Sequence, residues 1–512
     1  MNENEVLKRL FAVLEQYFAT RNEGAFVNYV SPSDLQERLA LDEPGSEGDW
    51  DRIFKWIEQY LEYGVKTSHP SFMNRMWAGA NLPSMLAEMV TALSNTSACT
   101  YESAPVSTLF ERHMIQQMLE LVGFVDGEGQ MTTGSSNANM IAMMCARNMA
   151  VEQVKQQGLF GQQELFGFVN GEAHYSMDKA ANILGLGSDH LIKVEVNARG
   201  EMVPEALEQQ IEEVVAAGGM PFFVAATAGT TVRGAYDPLP SILGLRDKYR
   251  FWLHVDGAWG GAAVMSDTLR DRYLPRLAEA NSFTCDFHKM LGSSLMCNIL
   301  LINRSAHIFG KVLAAGDGSY LFRDTDDNEV DDLGNVSLQC GRRVDSLKWF
   351  LDWKYYGKSG LGARIEHYLE LCQYAEQQVH RIPELEMVSE RTSFNICFRF
   401  RAPETFSLER TNGLTEEIRT RIYKKGAALV GLAYIKEHLA MRLLVTNTNI
   451  GKSEIDTFLA EVVATGREVI GVERSRSKIV RAFPVKDETE QILSEEAIEQ
   501  EQKACCRLST VN

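Results

Sequence analysis

The sequence lacks the features that mark a membrane-spanning or nucleic-acid-binding chain. It has no apolar run near the roughly 18 residues that a spanning helix requires. Basic residues number 51 against 69 acidic ones, and the formal net charge is −18. Neither nucleic acid nor an acidic membrane is expected as a partner, because both bind to basic patches. A small anionic substrate remains compatible, since a cleft can be locally positive in an acidic protein.

Cysteine pairs and metal-ligand spacings are also missing. The nine cysteines are scattered, apart from the adjacent Cys505 and Cys506, and none forms a CxxC motif or a Cys/His cluster. This pattern favours a reducing compartment and predicts no metal site. The first residues, MNENEVLKRLFAVLEQYF, indicate an amphipathic helix, because no basic segment precedes an apolar stretch as in a signal peptide. We therefore expect a cytoplasmic protein.

What the sequence does contain is enough hydrophobic material for a large globular protein. Hydrophobic residues make up 45% of the 512 residues and charged residues 23%, which is typical of a chain with a sizeable core in two or three lobes. Apolar runs of strand length alternate with helix-length segments; the runs are 165–169, 190–196, 222–227, 251–255, 282–285 and 298–303. This alternation predicts an α/β fold with a largely parallel, buried sheet, whose ligands bind at the carboxyl ends of the strands.

The texture of the chain predicts four parts. They are an N-terminal helical segment over 1–105, a large domain over 106–355, a smaller C-terminal α+β domain over 356–475 and a charged tail over 476–512. The acidic stretch 313–340 has little periodicity and is predicted to be a long loop, a type of segment that is usually functional or disordered.

Two polar residues at predicted strand ends carry the main chemical signal. Lys289 lies in SFTCDFHKML (282–291), and Asp256 lies 33 residues earlier in HVDGAWGG (254–261). A lysine at the end of a buried strand is costly unless it is paired or used, and desolvation favours Schiff-base chemistry. A carboxylate beside a pyridine nitrogen keeps that nitrogen protonated and makes the ring an electron sink. Lysine and aspartate on neighbouring strands are the smallest set of residues that a pyridoxal-phosphate site needs. Taken alone, Lys289 is also explained as a surface lysine and Asp256 as a turn carboxylate.

Two further elements suit such a site. MTTGSSNANM (131–140) opens an apolar helix, and the N-terminus of a helix attracts anions, so Gly134, Ser135 and Ser136 would hold the cofactor phosphate. An ordinary helix cap explains the same residues. His174 follows another predicted strand and would stack on the pyridine ring, although a single histidine is more often structural.

Seven segments together carry a resemblance to a known family. They are HPSFMN (69–74), TYESAPV (100–106), AHYS (173–176), ATAGTTVRGAYDP (226–238), LHVDGAWGG (253–261), HKM (288–290) and QCGRRVD (339–345). From about residue 60 to about residue 465 the chain resembles the group II pyridoxal-phosphate-dependent amino-acid decarboxylases. Within that group it looks most similar to glutamate decarboxylase and cysteine sulfinate decarboxylase.

The resemblance implies an aspartate-aminotransferase-like fold (fold type I) and an obligate homodimer with its sites at the subunit interface, where the N-terminal segment contributes. It implies that Lys289 bears pyridoxal 5'-phosphate, that Asp256 pairs with the pyridine nitrogen and that Arg442 binds a substrate carboxylate. The other positions that it implies around the cofactor are Gly134, Ser135, Ser136 and His288 near the phosphate, Ala258 beneath the ring, His174 above the ring, and Thr227.

Three positions depart from the family pattern. Arg75 stands where glutamate decarboxylase has a glutamine, and it would bind a second acidic group or form an interface salt bridge. Cys99 replaces an aromatic residue and would widen the substrate pocket. The loop position of the family's tyrosine, the Cα proton donor, matches Asn328, and the loop's only tyrosine is Tyr320. The third departure would open an oxidative side reaction, unless the match in this loop is displaced.

These observations leave three functional hypotheses. The leading one is a carboxy-lyase that decarboxylates an acidic amino acid, with aspartate, glutamate and cysteine sulfinate as candidates. The second is a decarboxylase of neutral or aromatic amino acids, or a decarboxylation-dependent oxidative deaminase. The third is a catalytically silent binding protein, since a fold does not fix a function.

Overall fold

The computed structural model describes residues 1–314, 318, 320–322 and 332–482. Its strands are β1 Phe72–Met73, β2 Glu128–Thr132, β3 Leu165–Asn170, β4 Leu191–Val194, β5 Met220–Thr227, β6 Trp252–Asp256, β7 Ser282–Asp286, β8 Asn298–Ile302, β9 Leu385–Met387, β10 Asn395–Phe400, β11 Leu429–Ile435 and β12 His438–Leu444. Its helices are α1 Glu3–Thr20, α2 Pro32–Leu39, α3 Trp50–Tyr63, α4 Leu82–Ser94, α5 Pro105–Val122, α6 Ser135–Ala150, α7 Val154–Gln157, α8 Ser176–Ile183, α9 Pro204–Ala216, α10 Leu239–Tyr249, α11 Asp267–Tyr273, α12 Ile308–Leu313, α13 Ser346–Arg381, α14 Leu408–Lys424 and α15 Lys452–Ala482. Within the described part of the chain, no helix combines the length and the apolar character needed to cross a bilayer.

The larger sheet has seven strands in the order β2-β8-β7-β6-β5-β3-β4. Its strands run parallel except β8, which is antiparallel to both of its neighbours. Every residue of β7 and β8 is buried, as near-continuous apolar runs require. The six predicted runs correspond to β3–β8, so the prediction of a mostly parallel α/β sheet is confirmed.

The smaller sheet has the order β1-β11-β12-β10-β9 and is antiparallel except where β1 joins β11. In that parallel contact Phe72 of β1 pairs with Leu429 of β11. Gly431, also on β11, pairs with Arg442 on β12. The two-residue strand β1 therefore brings the segment around Asn74 to Arg442. One apolar core includes Phe283 of the larger sheet and Phe398 of the smaller one, so the two sheets pack into one body.

Two features differ from the sequence expectations. Strand β2 is not among the predicted apolar runs, because Met131 is its only large apolar residue; it is an edge strand that pairs with β8. Helix α13 runs across the expected domain boundary at 356, with a break at Gly357, whose φ is 64° and ψ is 172°. The four-part division of the chain stays a prediction. Asn328 and the tail beyond 482 lie outside the described residues.

A buried ion pair between Arg342 and Glu111 of α5 holds together α5, the large sheet and the segment before α5. Arg342 Nη2 lies 2.5 Å from Glu111 Oε1, and the two side chains are 4% and 1% exposed. Arg342 also donates to the Ala98 carbonyl at 2.8 Å, and Glu111 accepts from the Met131 amide at 3.0 Å. The QCGR motif is thus explained by packing: its arginine joins α5, β2 and the segment that contains Cys99.

Replacing Arg342 by methionine is expected to lower the free energy of unfolding by about 3–5 kcal/mol, because the buried Glu111 carboxylate would lose its partner. Urea unfolding of the variant measures the change. The control is Arg276→Met, which removes an exposed i,i+3 pair with Glu279 whose Nε–Oε1 distance is 2.6 Å. A far smaller effect is expected there, because water screens exposed pairs. Equal effects of the two changes would contradict the prediction.

Candidate active site

Lys289 and Asp256 lie at the same edge of the large sheet, as predicted. Asp256 is the last residue of β6, and β7 beside it leads into the turn that carries Lys289. Lys289 Nζ lies 2.8 Å from Oδ2 of Asp286, the last residue of β7. The Asp286 side chain is 3% exposed and that of Lys289 is 19% exposed. The lysine is thus held by a buried carboxylate while its amine stays accessible to a ligand.

A chain of buried hydrogen bonds fixes Asp256. Its Oδ2 accepts from Asn139 Nδ2 at 2.9 Å. The Asn139 oxygen therefore faces His254, whose Nε2 donates to it at 2.9 Å, and Ser282 Oγ donates to His254 Nδ1 at 2.8 Å. Burial lowers the pKa of His254 to about 4, so the ring is neutral near pH 7 and carries its hydrogen on Nε2. This chain of hydrogen bonds consequently holds the Asp256 carboxylate in one orientation.

His174 lies within electrostatic range of Asp256 and Lys289. Its ring is half-buried, and its Nδ1 accepts from the Ser176 amide at 3.3 Å. Burial is the main effect on the pKa of His174 and lowers it. The negative charge of Asp256 acts to raise this pKa, and the positive charge of Lys289 acts to lower it. The structure therefore brings the three predicted catalytic residues together, with His174 as a neutral ring.

The N-terminus of α6 points to an anion site. Gly134 precedes the helix with a φ of 105°, a conformation that favours glycine, and a Cβ there would collide with the Met296 side chain. No side chain from the preceding turn caps the helix. The Ser135 amide donates to Asp286 Oδ1 at 3.2 Å, and Ser136 is exposed. The Ser135 hydroxyl accepts from Asn298 Nδ2 at 2.9 Å, so the exposed Ser136 and the dipole of the helix are what would attract a phosphate here.

The remaining cofactor positions surround the same strand ends. The Ala258 amide donates to Asp256 Oδ1 at 3.1 Å. Thr227 ends β5 opposite Asp256 in the sheet. His288 is buried, its Nδ1 lies 2.8 Å from a carbonyl oxygen, and burial lowers its pKa. A lysine amine, a carboxylate on the adjacent strand and a helix N-terminus at the same sheet edge together fit pyridoxal 5'-phosphate, although the role of each side chain stays a prediction.

The residues predicted to bind the substrate separate into two places. Arg442 is buried and donates from Nη1 to the Thr231 carbonyl at 2.5 Å, while its Nε has no hydrogen-bond partner in the part of the chain that the structure describes. Arg75 is exposed and close enough for its charge to lower the pKa of Arg442 further than burial alone. Cys99 is buried with its Sγ 4.0 Å from Cys340 Sγ, and the charges that act on it are those of Arg342 and Asp332.

Sequence reasoning gave no role to Asp286, Asn139 and His254. The signals were present: His254 precedes Asp256 by two positions, so both face the same side of a strand, and Asn139 follows Ser135 by one helical turn. Asp286 stands three positions before Lys289, but a charged residue at that spacing is also the ordinary pattern of a solvated turn.

The chain matches the family model "Pyridoxal-dependent decarboxylase conserved domain" over residues 32–401. It is 34% identical over 447 residues to the acidic amino acid decarboxylase of Xenopus tropicalis, covering 86% of this chain and 87% of that protein. It is 35% identical over 447 residues to the cysteine sulfinic acid decarboxylase of Rattus norvegicus, covering 86% and 90%. The crystal structure of mouse CSAD superposes with a TM-score of 0.86 at 32% identity, covering 90% of this chain and 98% of that one.

Proposed function

The chain belongs to the pyridoxal-dependent decarboxylase family, and from this premise we propose that it removes the α-carboxylate of an acidic L-amino acid as CO2 and releases the corresponding amine. It is a carboxy-lyase whose cofactor is pyridoxal 5'-phosphate. Aspartate, glutamate and cysteine sulfinate are the candidate substrates. The acidic class is supported by the two relatives, an acidic amino acid decarboxylase and a cysteine sulfinic acid decarboxylase, and, in this chain, by the surroundings of Arg442.

Arg442 is a buried cation that has no anionic partner within residues 1–314 and 332–471. Its side chain donates to two backbone carbonyls, of Thr231 and, at 3.5 Å, of Asn74, and has no carboxylate partner among the described residues. Burial lowers its pKa, and the Nε hydrogen has no acceptor. A buried, uncompensated charge is costly, and a carboxylate or sulfinate would neutralise it through charge-assisted hydrogen bonds. Arg75 adds a second positive charge nearby, which suits a substrate with two acidic groups.

The residues at the sheet edge divide the remaining work. When bound, pyridoxal phosphate supplies an electron sink for the pair of electrons left at Cα when CO2 departs. We propose that Lys289 holds the cofactor, that Asp256 faces its pyridine nitrogen, and that His174 and Ala258 lie on either side of its ring. The chain of hydrogen bonds through Asn139 and His254 holds the Asp256 carboxylate fixed while charge develops on the cofactor ring, so that the carboxylate need not reorient during the reaction. Gly134, Ser135, Ser136, His288 and Thr227 would complete the cofactor site.

The expected result is CO2 release and amine formation from one of the three acidic substrates by the purified, cofactor-loaded protein, without oxygen uptake. In the variant Arg442→Gln the kcat/KM for that substrate should fall by roughly 10- to 100-fold, because a hydrogen bond between charged groups is lost. The control Arg401→Gln removes an exposed arginine that likewise donates to backbone carbonyls, those of Pro383 and Leu385, and should leave kcat/KM unchanged. If the protein turned over only neutral or aromatic amino acids, the result would contradict the proposal.

We propose that the active form is a homodimer with its sites at the subunit interface. Helix α4 supports this assembly, because an apolar row on it is between 38% and 79% exposed; the row is Leu82, Leu86, Met89, Val90 and Leu93. Large exposed apolar surfaces of this kind are typical of interfaces. Light scattering that gives the mass of a monomer would contradict the assembly.

Two further expectations remain proposals. A cytoplasmic location is supported by the cysteines of the described part, which are all free thiols, as in a reducing compartment. The division at 105, 355 and 475 stays a proposal, of which the separation of a large domain from a smaller C-terminal one is supported by the two sheets: the strands of the larger sheet lie between Glu128 and Ile302, and four of the five strands of the smaller sheet lie between Leu385 and Leu444.

A further inference from the structure

Two thiols from distant parts of the sequence lie side by side. Cys99 Sγ lies 4.0 Å from Cys340 Sγ, although 241 positions separate the two residues. Cys99 is buried, whereas Cys340 is exposed. The other cysteines in the described part of the chain are all buried; they are Cys145, Cys285, Cys297, Cys372 and Cys397. Among the described thiols, Cys340 is therefore the one that an oxidant in solution meets first.

Backbone hydrogen bonds hold the segments that carry the two thiols against each other. The Ala98 amide donates to the Arg342 carbonyl at 2.9 Å, and the Arg342 amide donates to Ser97 Oγ at 3.1 Å. The Arg342 side chain, which belongs to the buried ion pair described above, donates to the Ala98 carbonyl at 2.8 Å. The Gly334 amide donates to the Cys99 carbonyl at 2.8 Å. The two sulfur atoms are thus brought together by fixed backbone, and not by a chance meeting of two flexible side chains.

We propose that Cys99 and Cys340 form a site of reversible oxidation, at which a peroxide converts the two thiols into one disulfide. The Cys340 sulfur attacks one peroxide oxygen, the O–O bond breaks, and Cys340 becomes a sulfenic acid while one water leaves. The Cys99 sulfur then displaces the hydroxyl group of the sulfenic acid as a second water, and the S–S bond forms. The two sulfur atoms lose two electrons in total, the peroxide gains them, and both thiol protons end in water.

The different surroundings of the two thiols set this order of events. Burial raises the pKa of Cys99 to about 11, with a smaller contribution from Cys340, and the positive charge of Arg342 opposes the rise. Cys99 is therefore a neutral thiol near pH 7, and the thiolate is the form that attacks a peroxide. Closure of the bond requires the sulfur atoms to approach to about 2.05 Å. Rotation of the exposed Cys340 side chain can supply this movement, because the backbone segments are already adjacent.

The second thiol is a feature of this chain. Cys99 is one of the positions at which the sequence departs from the family pattern, and an aromatic residue there could not form the bond. Disulfides in a reducing compartment are usually transient and respond to the redox state, and an exposed partner such as Cys340 leaves the bond accessible to reducing thiols. The disulfide would join the same two segments that Arg342 joins without a covalent bond. This site goes beyond the proposed function and does not rest on it.

The test oxidises the cofactor-loaded protein with hydrogen peroxide, blocks the remaining thiols with iodoacetamide and maps tryptic peptides by mass spectrometry without reductant. Trypsin separates the two residues, because peptides 76–112 and 324–342 each contain a single cysteine. The expected product is a cross-link between these two peptides, which dithiothreitol removes when it is added before the iodoacetamide. Accumulation of Cys340 sulfinic acid, or a link from Cys340 to a second copy or to the tail cysteines Cys505 and Cys506, would overturn the inference.

Two variants separate the roles of the thiols. In Cys99→Ser, Cys340 should stop at the sulfenic acid, and its dimedone adduct should be about tenfold or more above that of the unchanged chain, because the fast reaction within the molecule is lost. Equal dimedone labelling of Cys340 in both proteins would show that Cys99 does not react with it. The matched control is Cys397→Ser, which alters another buried thiol, one that donates to the Val232 carbonyl at 3.4 Å. This control should keep the cross-link.

Discussion

Replacing Lys289 by alanine is expected to reduce CO2 release about a thousandfold or more, the scale of loss when a residue that bonds covalently to the reacting group is removed. The amine of Lys289 is the accessible group at the sheet edge, 19% exposed and 2.8 Å from Asp286. Without it the cofactor would be held by non-covalent contacts alone. Steady-state CO2 release measures the loss, and borohydride reduction followed by peptide mapping should place the cofactor tag on Lys289 in the unchanged protein.

The control for this variant is Lys358→Ala. Lys358 also pairs with an aspartate at 2.8 Å, Asp267, but on the surface and away from the sheet edge. Its removal should leave both CO2 release and the tag unchanged. A tag on another lysine, or near-normal turnover of the Lys289→Ala variant, would mean that the cofactor is bound elsewhere.

The variant Asp256→Asn is expected to lower kcat by about a hundred- to a thousandfold, comparable to the loss of one group that stabilises developing charge. Asn139 donates its amide hydrogen to the Asp256 carboxylate, so an asparagine at 256 would lose the negative charge and disturb the chain of hydrogen bonds as well. The measurement is kcat per cofactor-loaded active site, together with the visible absorbance spectrum of the bound cofactor. The spectrum should change because the ring nitrogen would lose its carboxylate partner.

Asp352→Asn serves as the control for this variant. Asp352 is buried, and desolvation raises its pKa, but it is held by Ser293 and Asn81 rather than by the site residues. The Asp352→Asn variant should keep the cofactor spectrum and kcat even if its stability falls. A drop of less than tenfold for Asp256→Asn would show that another group supports the ring nitrogen.

The parts of the fold that sequence predicts well are those in which local pattern and burial agree. The strands β3–β8 are apolar runs buried in the large sheet, so their composition alone marks them. Strand β2 escapes this logic because it lies at an edge and pairs through its backbone, which needs little apolar content. The same contrast holds in the site: Lys289 and Asp256 stand at the ends of apolar strands, whereas Asn139 acts from inside a helix where asparagine has no distinctive pattern.

The substrate side of the site depends on contacts that no local pattern contains. Arg75 and Arg442 carry charges that attract acids, but their proximity follows from the pairing of Phe72 with Leu429 and of Gly431 with Arg442. Cys99 shows the reverse case. A cysteine in place of the family's aromatic residue predicts a wider pocket, yet in the structure its sulfur packs against Cys340 and Gly334. The effect of this residue on the substrate therefore stays a prediction.

Strand β1 also bears on the order in which the protein is assembled. Its two residues find their partners only after β11 and β12 exist, and these strands are encoded near the other end of the described chain. During synthesis the large sheet can form first, since β2–β8 are complete by Ile302 and domains tend to fold as they emerge. Pairing between residues so far apart in the sequence is slow, because the chain entropy is lost before the contact forms. A ribosome-bound chain would thus acquire its lysine-bearing sheet edge well before its two arginines meet.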